Sequence, residues 1–381
     1  MMKILVAGVS ARAMIESAVG SGYQTVALDA FGDQDLKALA ETYSLRHDFH
    51  VRYSAQAVLK AARKLDFDAV AYTADFENHP DILAQFAADH LILGNSPQVV
   101  RSVRNWPNLF AKLRRAGFPV PETVFPIENP KPDLKRRWLV KPLGSGGGHG
   151  IVFLRAGEMP GNSFMIQEYL PGKPCSISFI ANGRECVVLG ITEQLIGLRP
   201  FGSQAFRYCG NLLPCSEAAR PGSGKRLLEQ ARELAAFLTR EYKLTGANGI
   251  DIMLEGGQMC LLEVNPRYSA SMELIEQAYG LPVFHLHARA VLDGTLPPFD
   301  LETVVAGGKY FGKAILFAEK EAVAPDTRLW PARALRDIPA SGEPLPKGGP
   351  VCTILASQPT REETLADLAR KAETLREELY A

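Results

Sequence analysis

Gly249-Ile-Asp251-Ile-Met-Leu-Glu-Gly-Gly-Gln-Met-Cys-Leu-Leu-Glu263-Val-Asn265-Pro-Arg267 is the stretch whose reading decides the fold. Apolar residues alternate through Gly249 to Leu254 and again through Met259 to Val264, with Glu255-Gly-Gly-Gln258 between them. This pattern predicts a β-hairpin closed by a glycine-containing loop. Side chains on a strand repeat every two residues, so Glu263 and Asn265 share one face, and Asp251 can meet them from the partner strand. Two carboxylates and an amide oxygen, backed by Arg267, make a hard, oxygen-rich set of the kind that holds Mg²⁺ against a polyphosphate. Taken alone, the segment also reads as a solvated hairpin whose acids face water.

A second motif shifts the balance. Leu139-Val-Lys141-Pro-Leu-Gly144-Ser145-Gly146-Gly147-Gly148-His149-Gly150 puts a lysine at a strand end, then a glycine loop, then a second strand from Ile151. Glycines let backbone N–H groups come close to phosphate oxygens, and the lysine adds a point charge. The loop is not Gly-x-x-x-x-Gly-Lys-Ser/Thr, and no long helix follows it. His149 lies within the loop, where a solvent-facing residue is the plainer reading.

Outward from these motifs, Lys3 to Gly8, Thr25 to Asp29, Ala69 to Thr73 and Leu91 to Leu93 read as buried strands. Helical periods at Ala11 to Gly20, Gln56 to Leu65 and Pro80 to Asp89 lie between them, so a parallel α/β domain is expected at 1–97. Its first loop, Gly8-Val-Ser-Ala-Arg12, lacks the dinucleotide fingerprint. Pro97 to Ala116 predicts one helix, ended by Gly117-Phe-Pro-Val-Pro121, and Pro126 to Pro132 a loop. Short strands and turns follow from Trp138 to Val188, then helices at Lys225 to Tyr242, Met272 to Tyr279 and Phe284 to Asp293. Strands at Gly312 to Phe317 and Val351 to Ala356 and an amphipathic helix at Thr360 to Leu379 close the chain.

With 42 basic and 42 acidic residues, no net field recruits nucleic acid or an anionic membrane. The Lys135-Arg136-Arg137 run, with Arg114 and Arg115, reads as solvated surface. Six cysteines without ligand-like spacing are expected to be free thiols of a reducing compartment. No apolar run reaches membrane-spanning length, and the N-terminus does not resemble a secretory signal, so a cytoplasmic protein is expected.

In this order, Lys141 with its glycine loop, Gln167-Glu168-Tyr169-Leu170, and then Asp251, Glu263, Asn265 and Arg267 resemble the ATP-grasp superfamily, in a carboligase-like branch related to biotin carboxylase. The resemblance implies a mixed α/β and α+β fold in three parts. These are a parallel α/β preamble domain at 1–97, a split ATP-grasp domain at 98–300 with a lid at about 120–190, and a small C-terminal α+β appendage at 301–381. It implies ATP and Mg²⁺, or Mn²⁺, as cofactors. Lys141 would contact ATP, Ser145, Gly146, Gly147 and Gly148 would cover its phosphates, and Gln167, Glu168, Tyr169 and Leu170 would bind adenine through backbone groups. Asp251, Glu263 and Asn265 would hold the metal, and Arg267 the transferred phosphoryl group.

The chain departs from that pattern at three positions. Trp106 stands where relatives carry a lysine, Pro174 where they carry a ribose-binding acid, and Ser271 where the carboxylase branch has a glutamate base.

The superfamily's common step is conversion of a carboxylate to an acyl phosphate, which implies an ATP-dependent carboxylate–amine ligase in small-molecule or cofactor biosynthesis. The alternatives are an ATP-dependent carboxylase using bicarbonate and a nucleotide-sensing, non-catalytic module. Arg12, Asp75 and Glu77, in loops at the carboxyl ends of the N-terminal strands, are candidates for orienting a substrate. Arg207 is a candidate contact to a carboxylate or phosphate, and Arg199 a weaker one. His285 and His287 point in different directions on a helix, and Glu193-Gln194 reads as a strand-end polar pair. The expected partners are small molecules, with no nucleic acid and no membrane; a homodimer is a candidate assembly, and the last eighty residues or so read as serving either packing or dimerisation.

Overall fold

The short apolar runs near the N-terminus pair as parallel strands: β1 (Lys3–Ala7), β2 (Gln24–Asp29), β3 (Glu41–Ser44), β4 (Ala69–Tyr72) and β5 (Leu91–Leu93), ordered β3-β2-β1-β4-β5. The computed structural model describes residues 2–381 apart from 126–132, 134, 156–159, 221 and 306–307, so the expected loop at Pro126 to Pro132 lies outside the described residues. Helices α1 (Arg12–Gly20), α2 (Gln34–Leu39), α3 (Ala55–Ala62) and α4 (Pro80–Asp89) flank this sheet. Ile4 and Val6 pack on Met14 and Ile15 of α1, while Leu5 and Ala7 on the other face pack on Val58 and Leu59 of α3 and Leu83 of α4. Burial on both faces is why these strands read as continuous apolar runs. The polar edge strand β3, Glu-Thr-Tyr-Ser, has no such run and is unreadable by that rule.

Residues 97–116 form two helices, α5 (Pro97–Val103) and α6 (Trp106–Arg115), where the sequence predicts one. Pro107 has no N–H to continue the helical ladder, and Asn105 caps α6 by accepting the Asn108 N–H at 3.3 Å. The break leaves Arg104 outside both helices.

Strands β6 (Thr123–Val124), β7 (Trp138–Pro142), β8 (Val152–Phe153) and β9 (Phe164–Glu168) make a four-stranded antiparallel sheet in the order β6-β9-β7-β8. After Glu168, β10 (Lys173–Asn182) and β11 (Cys186–Ile196) leave it and pair with each other and, through β10, with β13 (Thr245–Glu255).

They belong to an eight-stranded sheet ordered β14-β13-β10-β11-β12-β15-β19-β17, completed by β12 (Tyr208–Leu213), β14 (Gln258–Asn265), β15 (Tyr310–Phe317), β17 (Leu335–Arg336) and β19 (Pro350–Gln358). A small pair, β16 (Ala322–Val323) with β18 (Pro344–Leu345), stands beside it. The C-terminal α+β region continues this sheet, since β15 hydrogen-bonds along β12.

Helix α7 (Ser223–Tyr242) packs Leu227, Leu234 and Leu238 onto Ile177, Phe179 and Ile250, while α8 (Met272–Tyr279) and α9 (Val283–Leu292) pack on Ile180, Leu189 and Leu213. The short α10 (Leu301–Val305) leads into β15, and α11 (Arg361–Tyr380) covers Ile354 with Leu368 and Leu375. Thr360 and Glu363 form a capping box that starts α11 one residue later than the periodic pattern. Among the described residues no helix is long and apolar enough to cross a membrane, and all six cysteines are free.

His287 ties α9 to two strands, accepting the Ala247 N–H on Nδ1 at 2.8 Å and bonding the Leu93 carbonyl through Nε2 at 3.0 Å. His285 instead meets the Tyr23 hydroxyl, so the two histidines do not converge. Burial lowers the His287 pKa to about 4, whereas an unfolded histidine titrates near ~6.5. Between those values the unfolded chain binds a proton that the fold refuses, so this stability is present above the window and lost as pH falls through it. The loss amounts to about 3 kcal/mol. Urea titrations at pH 7 and pH 4.5 are expected to show this slope in the wild type and to lose most of it in His287→Gln.

Candidate functional site

The hairpin forms as the alternation requires. Asp251 stands directly opposite Glu263 and Gly249 opposite Asn265, with a bulge just after Asp251. Asn265 Nδ2 donates to Asp251 Oδ2 at 3.1 Å, and Gln194 Nε2, from the neighbouring face of β11, donates to Oδ1 at 3.0 Å. Burial, with the Glu263 charge adding to it, pushes the Asp251 carboxyl up to about 6. Arg267 Nη2 donates to Glu77 Oε1 at 2.6 Å and to Asn265 Oδ1 at 3.2 Å. Its Nε is buried and bonds to no described residue.

Among the described residues no group of three or more His, Cys, Asp or Glu gathers as a metal site. The set here is two carboxylates and an amide. It still fits a hard divalent cation, because the repulsion between two facing carboxyl groups, which adds to the burial of Asp251, is what such a cation relieves.

Two residues that the sequence reading left unassigned are part of this site. Gln194, read as half of a strand-end pair, reaches Asp251, while Glu193 on the opposite face binds Lys173 and Arg361. Arg104, released by the helix break, donates from Nη1 to Glu263 Oε1 at 2.6 Å and from Nη2 to Asn78 Oδ1 at 2.6 Å. Its guanidinium lies 4.4 Å from the centre of the Trp106 ring, which is itself buried in the main core. Trp106 thus serves packing, and the cation of this segment enters the site two residues earlier. The only signal in the sequence was a basic residue two positions before an aromatic one.

Across the cleft, Lys141 Nζ donates to Gln167 Oε1 at 3.0 Å, and Gln167 Nε2 donates to Thr123 Oγ1 at 3.2 Å. Burial lowers the Lys141 pKa, against the pull of Glu263 and Asp251, so the lysine lies within electrostatic range of the hairpin. The glycine loop is folded down onto the large sheet, its Gly147 carbonyl accepting the Tyr208 N–H at 3.0 Å. Gly148 has φ +76° and sits so close that a Cβ would run into the Phe206 carbonyl. Ser145 Oγ donates to the His149 carbonyl, and burial and the nearby Arg207 lower the His149 pKa.

A cavity of about 490 Å³ opens beside the loop, lined in part by Arg137, Ile151, Phe153, Tyr169 and Phe206. Arg137 lies 4.1 Å from the Phe153 ring centre and 4.9 Å from that of Tyr169, and Phe153 meets Phe206 edge-on at 5.3 Å. By strand register, Arg137, Lys141, Phe153, Gln167 and Tyr169 share one face of the four-stranded sheet. Glu168 faces the other way, towards Arg136. The N–H groups of Glu168 and Tyr169 are taken up by Glu122 and Arg137 carbonyls. Of the N–H groups that follow Gln167 in this segment, that leaves the Leu170 N–H as the donor without a backbone partner among the described residues.

The substrate candidates divide. Glu77 is at the site, 2% exposed and paired with Arg267, and Asp75 lies on the same loop. Arg12 is not available to a ligand. It is 1% exposed and bound to Glu273, Asp337 and Glu16, with Asp35 at 3.8 Å. Arg207 lies 4.5 Å from the Phe317 ring centre and donates to the Gly348 carbonyl, a contact that fastens the C-terminal region rather than one offered to an anion. Arg199 stays in a short 3-10 turn, Arg199–Phe201. Ser271 bonds Ser178 and Ser269 hydroxyls at 2.8 and 3.0 Å, and Glu273 is held between Arg12 and Lys313.

A family model described as an ATP-grasp domain matches residues 105–271, the span that holds Lys141, the glycine loop and the whole hairpin. The chain carries an ATP-grasp domain. An uncharacterized protein of Methanocaldococcus jannaschii is 24% identical, over 94% of this chain and 88% of that one. Around the ATP-grasp domain the entire fold is also shared with solved structures. The biotin carboxylase domain dimer of the Hydrogenobacter thermophilus 2-oxoglutarate carboxylase, solved with MgADP, ADP and bicarbonate, matches with TM-score 0.71 at 15% identity, over 98% of this chain and 90% of that one. The L-amino acid ligase of Bacillus licheniformis matches with TM-score 0.67 at 16% identity, over 99% and 98%. At these identities the likeness is one of fold.

Proposed function

We propose that this protein is an ATP-dependent carboxylate–amine ligase that works through an acyl phosphate. The observation carrying this reading is the opposed pair Asp251 and Glu263, partly buried beside Arg267 and within range of Lys141. Phosphoryl transfer asks a protein chiefly for positioning and charge neutralisation, and this cleft has the groups for both.

In this reading Lys141 and the N–H groups of Ser145, Gly146, Gly147 and Gly148 hold the ATP phosphates. The Arg137, Phe153 and Tyr169 slot takes the base, with the Leu170 N–H beside it. Asp251, Glu263 and Asn265 hold Mg²⁺ or Mn²⁺, which supplies positive charge against the polyphosphate. Arg267, with its spare Nε, would clamp the phosphoryl group as it passes from ATP to the carboxylate. A carboxylate is a poor electrophile, and phosphorylation gives it a leaving group that an amine displaces.

The carboxylase alternative lacks its base, since Ser271 is tied to two serines and Glu273 is neutralised by Arg12 and Lys313. The fold is shared alike with a biotin carboxylase and an L-amino acid ligase, so the choice of the amine branch rests on that missing base. Its setting in this reading is small-molecule or cofactor biosynthesis.

The test is release of ADP and phosphate from Mg²⁺-ATP across a panel of amino acids, amines and small carboxylic acids, with hydroxylamine present. Acid-dependent release with hydroxamate formation establishes the ligase. ATP binding without turnover across the panel overturns it in favour of a nucleotide sensor. Lys141→Ala is expected to weaken ATP binding by roughly tenfold or more, the loss of a charge-assisted bond to phosphate, as read by calorimetry. Unchanged binding would remove Lys141 from the site.

A further inference from the structure

The loop that follows β4 carries a side-chain pair for which the ligase reading has no role. His79 Nε2 lies 3.0 Å from Asp75 Oδ2. With Asp75 accepting the Nε2–H, the imidazole is held in the tautomer whose Nδ1 is the basic nitrogen. Nδ1 bonds to no described residue, and the His79 side chain is 41% exposed. The other oxygen of Asp75 accepts from Asn78 Nδ2 at 2.5 Å, and Asn78 Oδ1 accepts from Arg104 Nη2 at 2.6 Å. That same guanidinium binds Glu263 through Nη1. A continuous run of hydrogen bonds therefore connects the imidazole to the hairpin, and the neighbouring Glu77 connects the same loop to Arg267. Loops at the carboxyl ends of parallel strands border the crevice where substrates of α/β domains bind.

We propose that the Asp75–His79 dyad is the general base that takes the proton from the attacking amine. This rests on the ligase reading. The amine lone pair attacks the acyl carbon, the nitrogen–carbon bond forms, and the carbon–oxygen bond to phosphate breaks with its electron pair leaving on phosphate. The surplus proton on nitrogen passes to His79 Nδ1 and from there to solvent. Asp75 holds the ring and stabilises the imidazolium, and Asn78 holds Asp75. The hydrogen bond to Asp75 raises the His79 pKa above its ordinary value, partial burial works against it, and the charges of Asp75 and Glu77 add to it.

Two nucleophiles separate this role from a structural one, because hydroxylamine is already unprotonated at neutral pH and an alkyl amine is not. In His79→Gln, hydroxamate formation at pH 7 is expected to stay within about twofold of wild type, while amide formation from the amine named by the panel falls roughly 100-fold or more. The deficit should shrink as pH rises and the free amine becomes abundant. Asp75→Asn should behave the same way with a smaller loss. Equal loss of hydroxamate and amide, or equal retention of both, overturns the dyad as base. Absence of hydroxamate from the wild-type protein with every acid overturns the ligase reading itself and the dyad with it, so the two failures are told apart by the wild type alone.

Discussion

Glu263→Gln is expected to lower ATP turnover roughly 100- to 1000-fold, the usual cost of deleting one preorganised charge from a transition-state site, while leaving the fold intact. Glu263 is 22% exposed on its side chain, and the substitution removes one of two like charges facing each other across the hairpin. Arg104 loses an ion-pair partner but keeps its bonds to Asn78 and the Leu143 carbonyl. The measurement is ADP release from Mg²⁺-ATP beside a urea titration of the same preparation. Wild-type turnover by Glu263→Gln would take the hairpin out of the metal site.

Arg267→Ala is the poorer probe. Its partner Glu77 is 2% exposed. Deleting the arginine would strand a buried carboxylate at a cost of about 3 to 5 kcal/mol, so lost activity would be mixed with lost fold.

The largest stability effect is expected at Arg12→Met. Arg12 holds Glu273 of α8 and Asp337 near β17, and Lys313 of β15 holds the other oxygen of Glu273 at 2.6 Å. Burial disfavours the Glu273 charge, yet Arg12 and Lys313 outweigh it and keep the carboxyl well below the usual range. Without the guanidinium, Glu273 keeps one cation and Asp337 loses its partner. The loss should be about 3 to 5 kcal/mol, because the stranded charges stay buried. It would appear as a lower urea midpoint at unchanged slope. Arg12→Lys should recover only part of it, since an ammonium cannot make the forked contacts that a guanidinium makes to two carboxylates. A midpoint shift worth less than about 1 kcal/mol, the scale of a surface pair, would show that the network is not what joins these three regions.

Local periodicity made the hairpin legible. The facing of Asp251 and Glu263 follows from a strand period of two and one short loop, both contained in nineteen consecutive residues, 249–267. The parallel N-terminal sheet was legible for a related reason, since strands buried on both faces must be apolar throughout. The edge strand β3 has no such constraint and was missed.

The sequence by itself thus determined the elements whose signal is local: the metal-type hairpin, the lysine with its glycine loop, and the ATP-grasp order in which they occur. Only the tertiary structure decided what each long polar side chain does. Arg12 in a loop after a strand reads alike whether it meets a ligand or a partner, and its partners Glu273 and Asp337 lie 261 and 325 residues away. Arg104 and Gln194 enter the site, and the last strands join the large sheet, through pairings of the same long-range kind. Charge pairs and sheet edges carry no period along the chain, so nothing in the local sequence marks which distant group will satisfy them.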